Sequence, residues 1–236
     1  MSRSATLTVL FTVLAIFASA AISSAAEIEE GFVSMFNGKD LAGWEGKPGG
    51  WTVEDGTLTA QSTKENPCKK HHYLMWRGGK PADFVLRFKY KIVGGNSGVQ
   101  IRSKEIPNWD TRGYQADLEA GQKWTGCLFE HKRGGMAMRG TKVVIDEDGK
   151  KNITKFAESA DLQKKVKAND WNDYEVIAKG NHIVLKINDQ LMAELFDNQR
   201  DQAAADGVIA LQMHPGPPMI VQFKDLQIKI MDEEKE

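Results

Sequence analysis

The sequence of 236 residues has only two cysteines, and no excess of charge of either sign, with 31 Lys and Arg against 32 Asp and Glu. So few cysteines exclude a disulfide-rich scaffold and a zinc site with four cysteine ligands. A net charge of −1 lacks the basic surplus that nucleic-acid binding needs, so no nucleic-acid partner is expected. The sequence alone leaves open whether Cys68 and Cys127 pair.

Long apolar runs are scarce as well. One run, from Leu7 to Ala21, is short for a membrane span and is interrupted by Ser and Thr. Arg3 precedes it and Ser-Ala-Ala follows at residues 24–26, which is the order of a secretory signal peptide. The alternative is a retained membrane anchor. We predict a signal peptide over residues 1–26, a domain over residues 27–236, and a secreted or periplasmic protein with no stable membrane insertion after cleavage.

Helical patterns are nearly absent, because only residues 159–167 read as a short helix. Apolar and polar residues alternate over residues 84–91, and further strand-like runs cover residues 174–195, 208–213 and 220–230. Asp55-Gly56 separates two short runs and is a favoured hairpin turn. Many short strands with Gly and Asn between them predict an all-β sandwich in a single domain.

Polar side chains occupy alternate positions on four of these strands, opposite apolar neighbours. Because successive side chains point to opposite faces of a sheet, each strand offers an apolar row to the core and a polar row to the other face. If the strands are neighbours, the polar rows form one platform suited to sugar hydroxyls; the alternative is a solvated face with no ligand. The rows consist of Gln100 and Arg102; Gln115, Asp117 and Glu119; Glu130; and Gln212 and His214.

Two tryptophans lie in loops beside these strands. Trp109 and Trp124 either stack on a sugar ring or cap the edge of the sandwich. The glycine-rich segment around Asn96 is followed by no helix, so it is not a nucleotide-binding loop, and no nucleotide cofactor is expected. The motifs of acyl hydrolases with a nucleophile elbow and of helical zinc proteases are missing.

Nine segments in this order resemble the 3-keto-disaccharide hydrolase family, formerly a domain of unknown function. The resemblance extends over nearly all of residues 27–236, and the ordered set is more specific than any single segment. The segments are NGKDLAGW at 37–44, WTVEDG at 51–56, DFVL at 83–86, GNSGVQIR at 95–102, GYQAD at 113–117, GCLFE at 126–130, WNDY at 171–174, GVIALQMH at 207–214 and VQFKDL at 221–226.

The resemblance implies a concanavalin A-like jelly-roll sandwich with a sugar cleft on its concave sheet. It also implies a secreted hydrolase that cleaves glycosidic bonds of sugars oxidised to a ketone at C3, by elimination and hydration. A divalent metal ion is a candidate cofactor, because it would stabilise an enolate.

Carboxylate and imidazole groups on the polar rows are the candidates for proton transfer or metal binding. We expect Asp117, Glu130 and His214 to be catalytic, with Asp117 or Glu130 as the base or a metal ligand, and the same three are the candidate metal ligands. The residues expected to bind a carbohydrate substrate are Asn96, Gln100, Arg102, Gln115, Glu119, Trp124 and Gln212.

One departure from the family pattern concerns these assignments. Many relatives read Gly-Tyr-Glu-x-Gln where this chain reads Gly-Tyr-Gln-Ala-Asp, which moves the carboxylate by two residues along the same face. A non-catalytic carbohydrate-binding module of the same fold is the alternative function. An ordinary glycosidase that uses Asp117 and Glu119, about 6.5 Å apart on one strand, is a third reading.

Overall fold

The computed structural model describes residues 28–231, which form two facing β-sheets and one short helix. The predicted signal peptide lies outside the described residues. Among residues 28–231, no helix has the length and apolar character needed to cross a lipid bilayer.

The elements follow one another with short connections. They are β1 (Val33–Ser34), β2 (Trp44–Gly46), β3 (Thr52–Glu54), β4 (Thr57–Ser62), β5 (His72–Trp76), β6 (Phe84–Val93), β7 (Asn96–Ile106), β8 (Asp110–Glu119), β9 (Leu128–Glu130), β10 (Gly134–Ala137), β11 (Thr141–Ile145), β12 (Lys151–Lys155), α1 (Ser159–Gln163), β13 (Asn172–Lys179), β14 (His182–Ile187), β15 (Gln190–Asp197), β16 (Val208–Met213) and β17 (Met219–Ile230).

Ten strands form one sheet, here called the back sheet, in the order β12-β11-β15-β14-β13-β6-β17-β4-β3, with β1 beside β17. Seven strands form the front sheet, in the order β10-β9-β8-β7-β16-β5-β2. Sequence neighbours such as β7 and β8 pair directly, whereas β16 inserts between β7 and β5 from far along the chain. The front sheet therefore brings residues near 73, 100, 115 and 212 onto adjacent strands.

The core lies between the sheets and explains the alternation in the sequence. Leu86 and Val176 of the back sheet and Val99, Leu118 and Leu211 of the front sheet are fully buried. In each strand, the residues before and after these point away from the core. Burying such side chains contributes about 1.5–3 kcal/mol each, so the apolar rows fix which face of each strand points inward.

The structure confirms the all-β sandwich predicted from the sequence. Asp55 and Gly56 have left-handed backbone angles, with φ of 48° and 72°, and join β3 to β4 as the predicted hairpin. Helix α1 is shorter than predicted and ends at Gln163. Cys68 and Cys127 are both free thiols, which answers the question that the sequence left open.

A buried ion pair ties the two sheets together. Asp197 lies at the end of β15 in the back sheet and accepts a hydrogen bond from the hydroxyl of Tyr114 on β8 of the front sheet. Its carboxylate also pairs with the guanidinium of Arg133 at 2.7 Å, while the Asp197 side chain is 1% exposed. The burial of this carboxylate is thus compensated by a cation and by directed hydrogen bonds.

Replacing Asp197 by alanine should lower the free energy of unfolding by about 3–5 kcal/mol, because the largely buried Arg133 loses the closer of its two carboxylate partners and the Tyr114 hydroxyl loses its acceptor. Chemical denaturation measures the loss. The control is Glu147→Ala, which removes an exposed pair with Arg200 and should cost at most about 1 kcal/mol. Equal losses in the two variants would show that the Asp197 pair does not tie the sheets.

Candidate functional site

Four neighbouring strands of the front sheet carry polar side chains on the face away from the core. Gln115 lies on β8, Gln100 on β7, Gln212 on β16 and Tyr73 on β5. Strand pairing places Gln100 opposite Gln115 and Gln212 opposite Tyr73. The prediction that these rows lie side by side is therefore confirmed for the three glutamines.

The side-chain amide of Gln115 is the centre of this face. Its oxygen accepts hydrogen bonds from Gln100 Nε2 at 2.8 Å and from the Tyr73 hydroxyl at 3.4 Å. Its nitrogen donates to Asp117 Oδ1 at 2.7 Å and to Gln212 Oε1 at 3.3 Å. The Tyr73 hydroxyl in turn accepts a bond from Gln212 Nε2 at 2.8 Å. Such a connected network holds its members in fixed orientations.

Asp117 is the carboxyl group of this network. It is 4% exposed and forms no ion pair within residues 28–231. Burial raises the pKa of Asp117 to about 8, against the opposing effect of the Gln115 hydrogen bond, and the nearby charge of Glu119 raises it further. Oδ1 is engaged by Gln115, and Oδ2 makes no hydrogen bond within the described part of the chain. At neutral pH the group therefore holds a proton that Oδ2 can donate.

A cavity of about 360 Å³ opens over Asp117. Asn96 lines this cavity, and its side-chain amide makes no hydrogen bond to another residue in 28–231, so it is free to bind a ligand. Trp124 packs edge-on against Phe129, with 5.8 Å between ring centroids, and the two form an aromatic wall. The lining comprises Asn96, Gln115, Asp117, Glu119, Trp124, Phe129 and His214.

Glu119 supports the loop that carries this wall. Its Oε2 accepts hydrogen bonds from the backbone N–H groups of Lys123 at 3.0 Å and Trp124 at 2.8 Å. The carboxylate is therefore committed to holding the turn after β8, which places Trp124 at the cavity. Glu119 borders the cavity as predicted, but its contacts are those of a positioning residue.

His214 lies on the same cavity in a defined tautomer. Its Nδ1 is 2.6 Å from the carbonyl oxygen of Pro215, and a carbonyl oxygen can only accept, so Nδ1 carries a proton. In the neutral ring, Nε2 is then left with its lone pair. Asp117 and His214 thus bring a proton donor and a proton acceptor to one cavity, and their predicted convergence agrees with the structure.

Sequence reasoning missed Tyr73 and two histidines. The Tyr73 hydroxyl lies 3.2 Å from His131 Nε2, and Gln100 Nε2 lies 3.3 Å from His131 Nδ1. Burial lowers the pKa of His131, with a smaller contribution from His71, so the ring is neutral within the network. Tyr73 is followed by Leu74 and Met75, so the sequence favours an apolar run there and does not mark its hydroxyl as polar; the spacing of His71 and Tyr73, two residues apart, is the signal available.

The prediction that Arg102 belongs to the polar face is wrong. Arg102 and Ser103 both lie opposite Gly113, because the pairing of β7 with β8 shifts between Ile101 and Lys104. This β-bulge, with Arg102 at φ 46°, turns Arg102 away and brings Ser103 onto the polar face, where its hydroxyl donates to Gln100 Oε1. The Arg102 guanidinium binds instead the carbonyl oxygens of Ala82 and Gly180 and the carboxylate of Asp83.

The prediction that Glu130 lies on the same polar face as Asp117 and His214 is also wrong. Strand pairing sets Phe129 opposite Gln115 and Glu130 opposite Tyr114, whose side chain points between the sheets. Glu130 therefore points away from the cavity, and its Oε2 binds the backbone N–H and the guanidinium of Arg133. The alternation along β9 was predicted correctly, but Glu130 was predicted on the polar face and lies on the opposite one.

The candidate metal ligands do not form a ligand set. Glu130 lies on the other face from Asp117 and His214, and Asp117 Oδ1 is occupied by the amide of Gln115. Among residues 28–231, no three His, Cys, Asp or Glu side chains form a cluster that could hold a metal ion. These residues do not fit the divalent cation expected from the resemblance, and no chemical step is derived through one.

Solved structures resemble the chain in fold. A proposed glycosyl hydrolase from Parabacteroides distasonis shares 20% identity, with a TM-score of 0.57 over 86% of this chain and 95% of that chain. A Bacillus subtilis protein of unknown function with a galectin-like fold shares 11% identity, with a TM-score of 0.55 over 80% of this chain and 90% of that chain. These similarities confirm the jelly-roll sandwich.

Among curated proteins, no sequence matches this chain. A family model described as a 3-keto-alpha-glucoside-1,2-lyase-like domain matches residues 31–229, which include both sheets and every residue of the cavity. This is the family that the nine sequence segments resemble. The chain therefore belongs to the 3-keto-alpha-glucoside-1,2-lyase-like family.

Proposed function

We propose that this protein cleaves the glycosidic bond of 3-keto-glucosides by elimination across C1 and C2, followed by hydration. The observation that carries the proposal is the buried Asp117 carboxyl, protonated at neutral pH, on the same cavity as the free Nε2 of His214. An acid and a base in one cavity are what an elimination requires. Family membership supports the substrate class.

The 3-ketone makes this reaction accessible. A carbonyl at C3 acidifies the proton on C2, so a base can remove it with the electron pair delocalised as an enolate. Collapse of the enolate forms the C1–C2 double bond and breaks the bond from C1 to the glycosidic oxygen, which leaves with a proton. An unoxidised glucoside has no such acidic proton, so it is not a substrate for this route.

Three side chains divide the work. His214 Nε2 takes the proton from C2, and Asp117 Oδ2 gives its proton to the departing oxygen. The unengaged amide of Asn96 donates a hydrogen bond to the enolate oxygen as negative charge develops there. This assigns the acid role to Asp117, in place of the base role expected from the sequence, because its raised pKa keeps it protonated.

Hydration restores both groups. The Asp117 carboxylate accepts a proton from a water molecule that adds to C1, and the His214 imidazolium returns a proton to C2. The sum is hydrolysis of the glycoside with no net change in the protein. Release of the unsaturated sugar before hydration would make the same protein a lyase. The proposed enzyme acts outside the cytoplasm, as the signal peptide predicted over residues 1–26 implies.

The competing function is a non-catalytic carbohydrate-binding module. One observation favours it, namely that the cavity carries the unengaged amide of Asn96 and the aromatic wall of Trp124 and Phe129. A module would bind sugars through such amides and aromatic rings without needing a protonated carboxyl.

Asp117→Asn keeps the shape of the side chain and removes its transferable proton. It should lower turnover of a 3-keto-α-glucoside by about 100-fold or more, the scale of losing one acid–base group. Product release is measured by chromatography, with the unoxidised glucoside as the negative substrate. The control is Asp173→Asn, an exposed carboxylate on the back sheet, which should keep full activity. A wild-type protein that binds sugars but cleaves no 3-keto-glucoside would favour the module.

The pH dependence of kcat/KM tests which role Asp117 has. As the acid, it must be protonated, so kcat/KM should fall about tenfold per pH unit above about pH 8. The residual activity of Asp117→Asn should lack this alkaline limb. A rise in kcat/KM through pH 8 would instead assign Asp117 the role of base and overturn the division of roles.

The raised pKa also predicts a change of stability with pH that needs no substrate. The unfolded chain releases this proton near the ordinary aspartate pKa of 3.8, whereas the folded protein keeps it to about pH 8. Between these values the folded state binds more protons, so rising pH favours unfolding by up to about 1.4 kcal/mol per pH unit. The difference in unfolding free energy between wild type and Asp117→Asn should therefore shift against the wild type from pH 4 to 8. A constant difference would contradict the raised pKa.

A further inference from the structure

A second, larger cleft lies beside the catalytic cavity on the front sheet. It has a volume of about 900 Å³, against about 360 Å³ for the cavity over Asp117. The two share a boundary: Pro215 lines the larger cleft and follows His214 in the chain, and His71 lines it while its ring packs 6.1 Å from that of His131. The catalytic cavity is near the lower end of ligand sites, about 300–1,000 Å³, so a larger glycoside would extend into this cleft.

The second cleft is basic. Lys47 enters from the loop after β2, and Lys69 and Lys70 enter from the loop before β5; none of the three forms an ion pair within residues 28–231. The one carboxylate in its lining, Asp110, is paired with His71 at 3.0 Å. An adjoining cavity of about 540 Å³ is lined by the same three lysines and by no Asp or Glu. Three unpaired cations in one cleft repel one another, and a bound anion would relieve that repulsion.

A buried and neutral imidazole forms part of the wall of both cavities. His72 lines both of them and is 7% exposed. Burial, helped by the charge of Lys47, lowers the pKa of His72 to about 4, so the ring adds no positive charge to the cleft. Its Nδ1 is buried without a hydrogen-bond partner in the described part of the chain, and this edge of the ring packs against Gly50, so His72 shapes the wall and leaves anion binding to the lysines.

Trp109 supplies an aromatic surface in the cleft. Asn108 and Trp109 are both left-handed, with φ of 69° and 60°, which is unusual for a bulky residue. The Trp109 carbonyl is fixed by the N–H of Tyr73 at 2.8 Å, so the strained turn is tied to the catalytic platform. The partly exposed Trp109 lines the cleft and stacks on no ring within residues 28–231, which leaves its indole free to pack against a sugar.

We propose that Lys47, Lys69, Lys70 and Trp109, here called the basic cleft, bind a sugar unit that carries an anionic substituent. The lysines neutralise the anion and Trp109 stacks on the sugar ring. This inference rests on the proposed function, since the anionic sugar unit is the part of the substrate that extends beyond the keto-sugar in the catalytic cavity. A carboxylate, a sulfate and a phosphate ester share the required chemistry.

Calorimetry on the full chain at low salt tests the cleft with glucose, glucuronate, glucose 6-sulfate and glucose 6-phosphate. At least one anionic sugar should bind about tenfold more tightly than glucose, and the tightest of the three identifies the anion. The preference should fall as salt is raised and disappear in the double variant Lys69→Gln/Lys70→Gln. The matched control is Lys64→Gln in the same loop, which lines neither cavity and should bind as the wild type does.

Inorganic sulfate and a Trp109→Phe variant separate sugar recognition from simple anion binding. Trp109→Ala should weaken the anionic sugar about tenfold and leave sulfate unchanged, while Trp109→Phe should keep most of the affinity. Equal binding of sulfate and the sugar esters, or no preference over glucose, overturns the proposal.

Activity measurements distinguish failure of the basic-cleft proposal from failure of the proposed function. If the function is right and the cleft is wrong, the chain cleaves a neutral 3-keto-glucoside and shows no preference for anionic sugars. If the function is wrong and the cleft is right, anionic sugars bind and no keto-glucoside is cleaved. If both are right, Lys69→Gln/Lys70→Gln loses the preference for a 3-keto-glucoside with an anionic leaving group, and the control Lys64→Gln keeps both the activity and the preference.

Discussion

The orientation of the Gln115 amide is the constraint on which the polar face depends. Ser103 donates to Gln100 Oε1, so the nitrogen of Gln100 must be the group that donates to the Gln115 oxygen. The Gln115 nitrogen then has to face Asp117 Oδ1. This chain of donors begins at the β-bulge opposite Gly113, because only the bulge brings Ser103 to that face. A local irregularity in one strand pair thus determines that the Asp117 carboxyl receives a hydrogen-bond donor at Oδ1 and keeps Oδ2 free.

The two buried carboxyl groups of Asp197 and Asp117 differ in charge because they have different hydrogen-bonding partners. Asp197 is compensated by the Arg133 cation and the Tyr114 hydroxyl, and it joins the sheets as a charged group. Asp117 has one amide donor and no cation, so burial favours its neutral form. The protein tolerates this cost on the face where a sugar would replace water. The difference lies in the partners of each carboxyl, and their burial is nearly equal, at 2% and 4% exposed.

Alternation in the sequence was enough to predict the sandwich and most of the polar face, because burial of apolar rows determines which way each strand faces. It correctly predicted that Gln115, Asp117 and His214 share one cavity. It failed at Arg102, where a bulge interrupts the alternation, and at Glu130, because the choice between two faces depends on the pairing with β8. His131 could not be found, since it lies in a turn whose position is set by packing against Tyr73.

The departure from the family pattern has a structural explanation in the contact between positions 115 and 117. Both side chains line one cavity and are joined by a single hydrogen bond of 2.7 Å between amide and carboxyl. Relatives with Gly-Tyr-Glu-x-Gln place the carboxyl at the first of these positions and the amide at the second. The exchange keeps an amide–carboxyl pair on the same face and moves the carboxyl by two residues, about 6.5 Å along the strand.

In this chain the amide occupies the central position, where it binds Gln100, Tyr73 and Gln212 at once, and the carboxyl lies beside Asn96 and His214. The exchange therefore leaves the neutral amide at the centre of the network and puts the carboxyl on the cavity that His214 also lines.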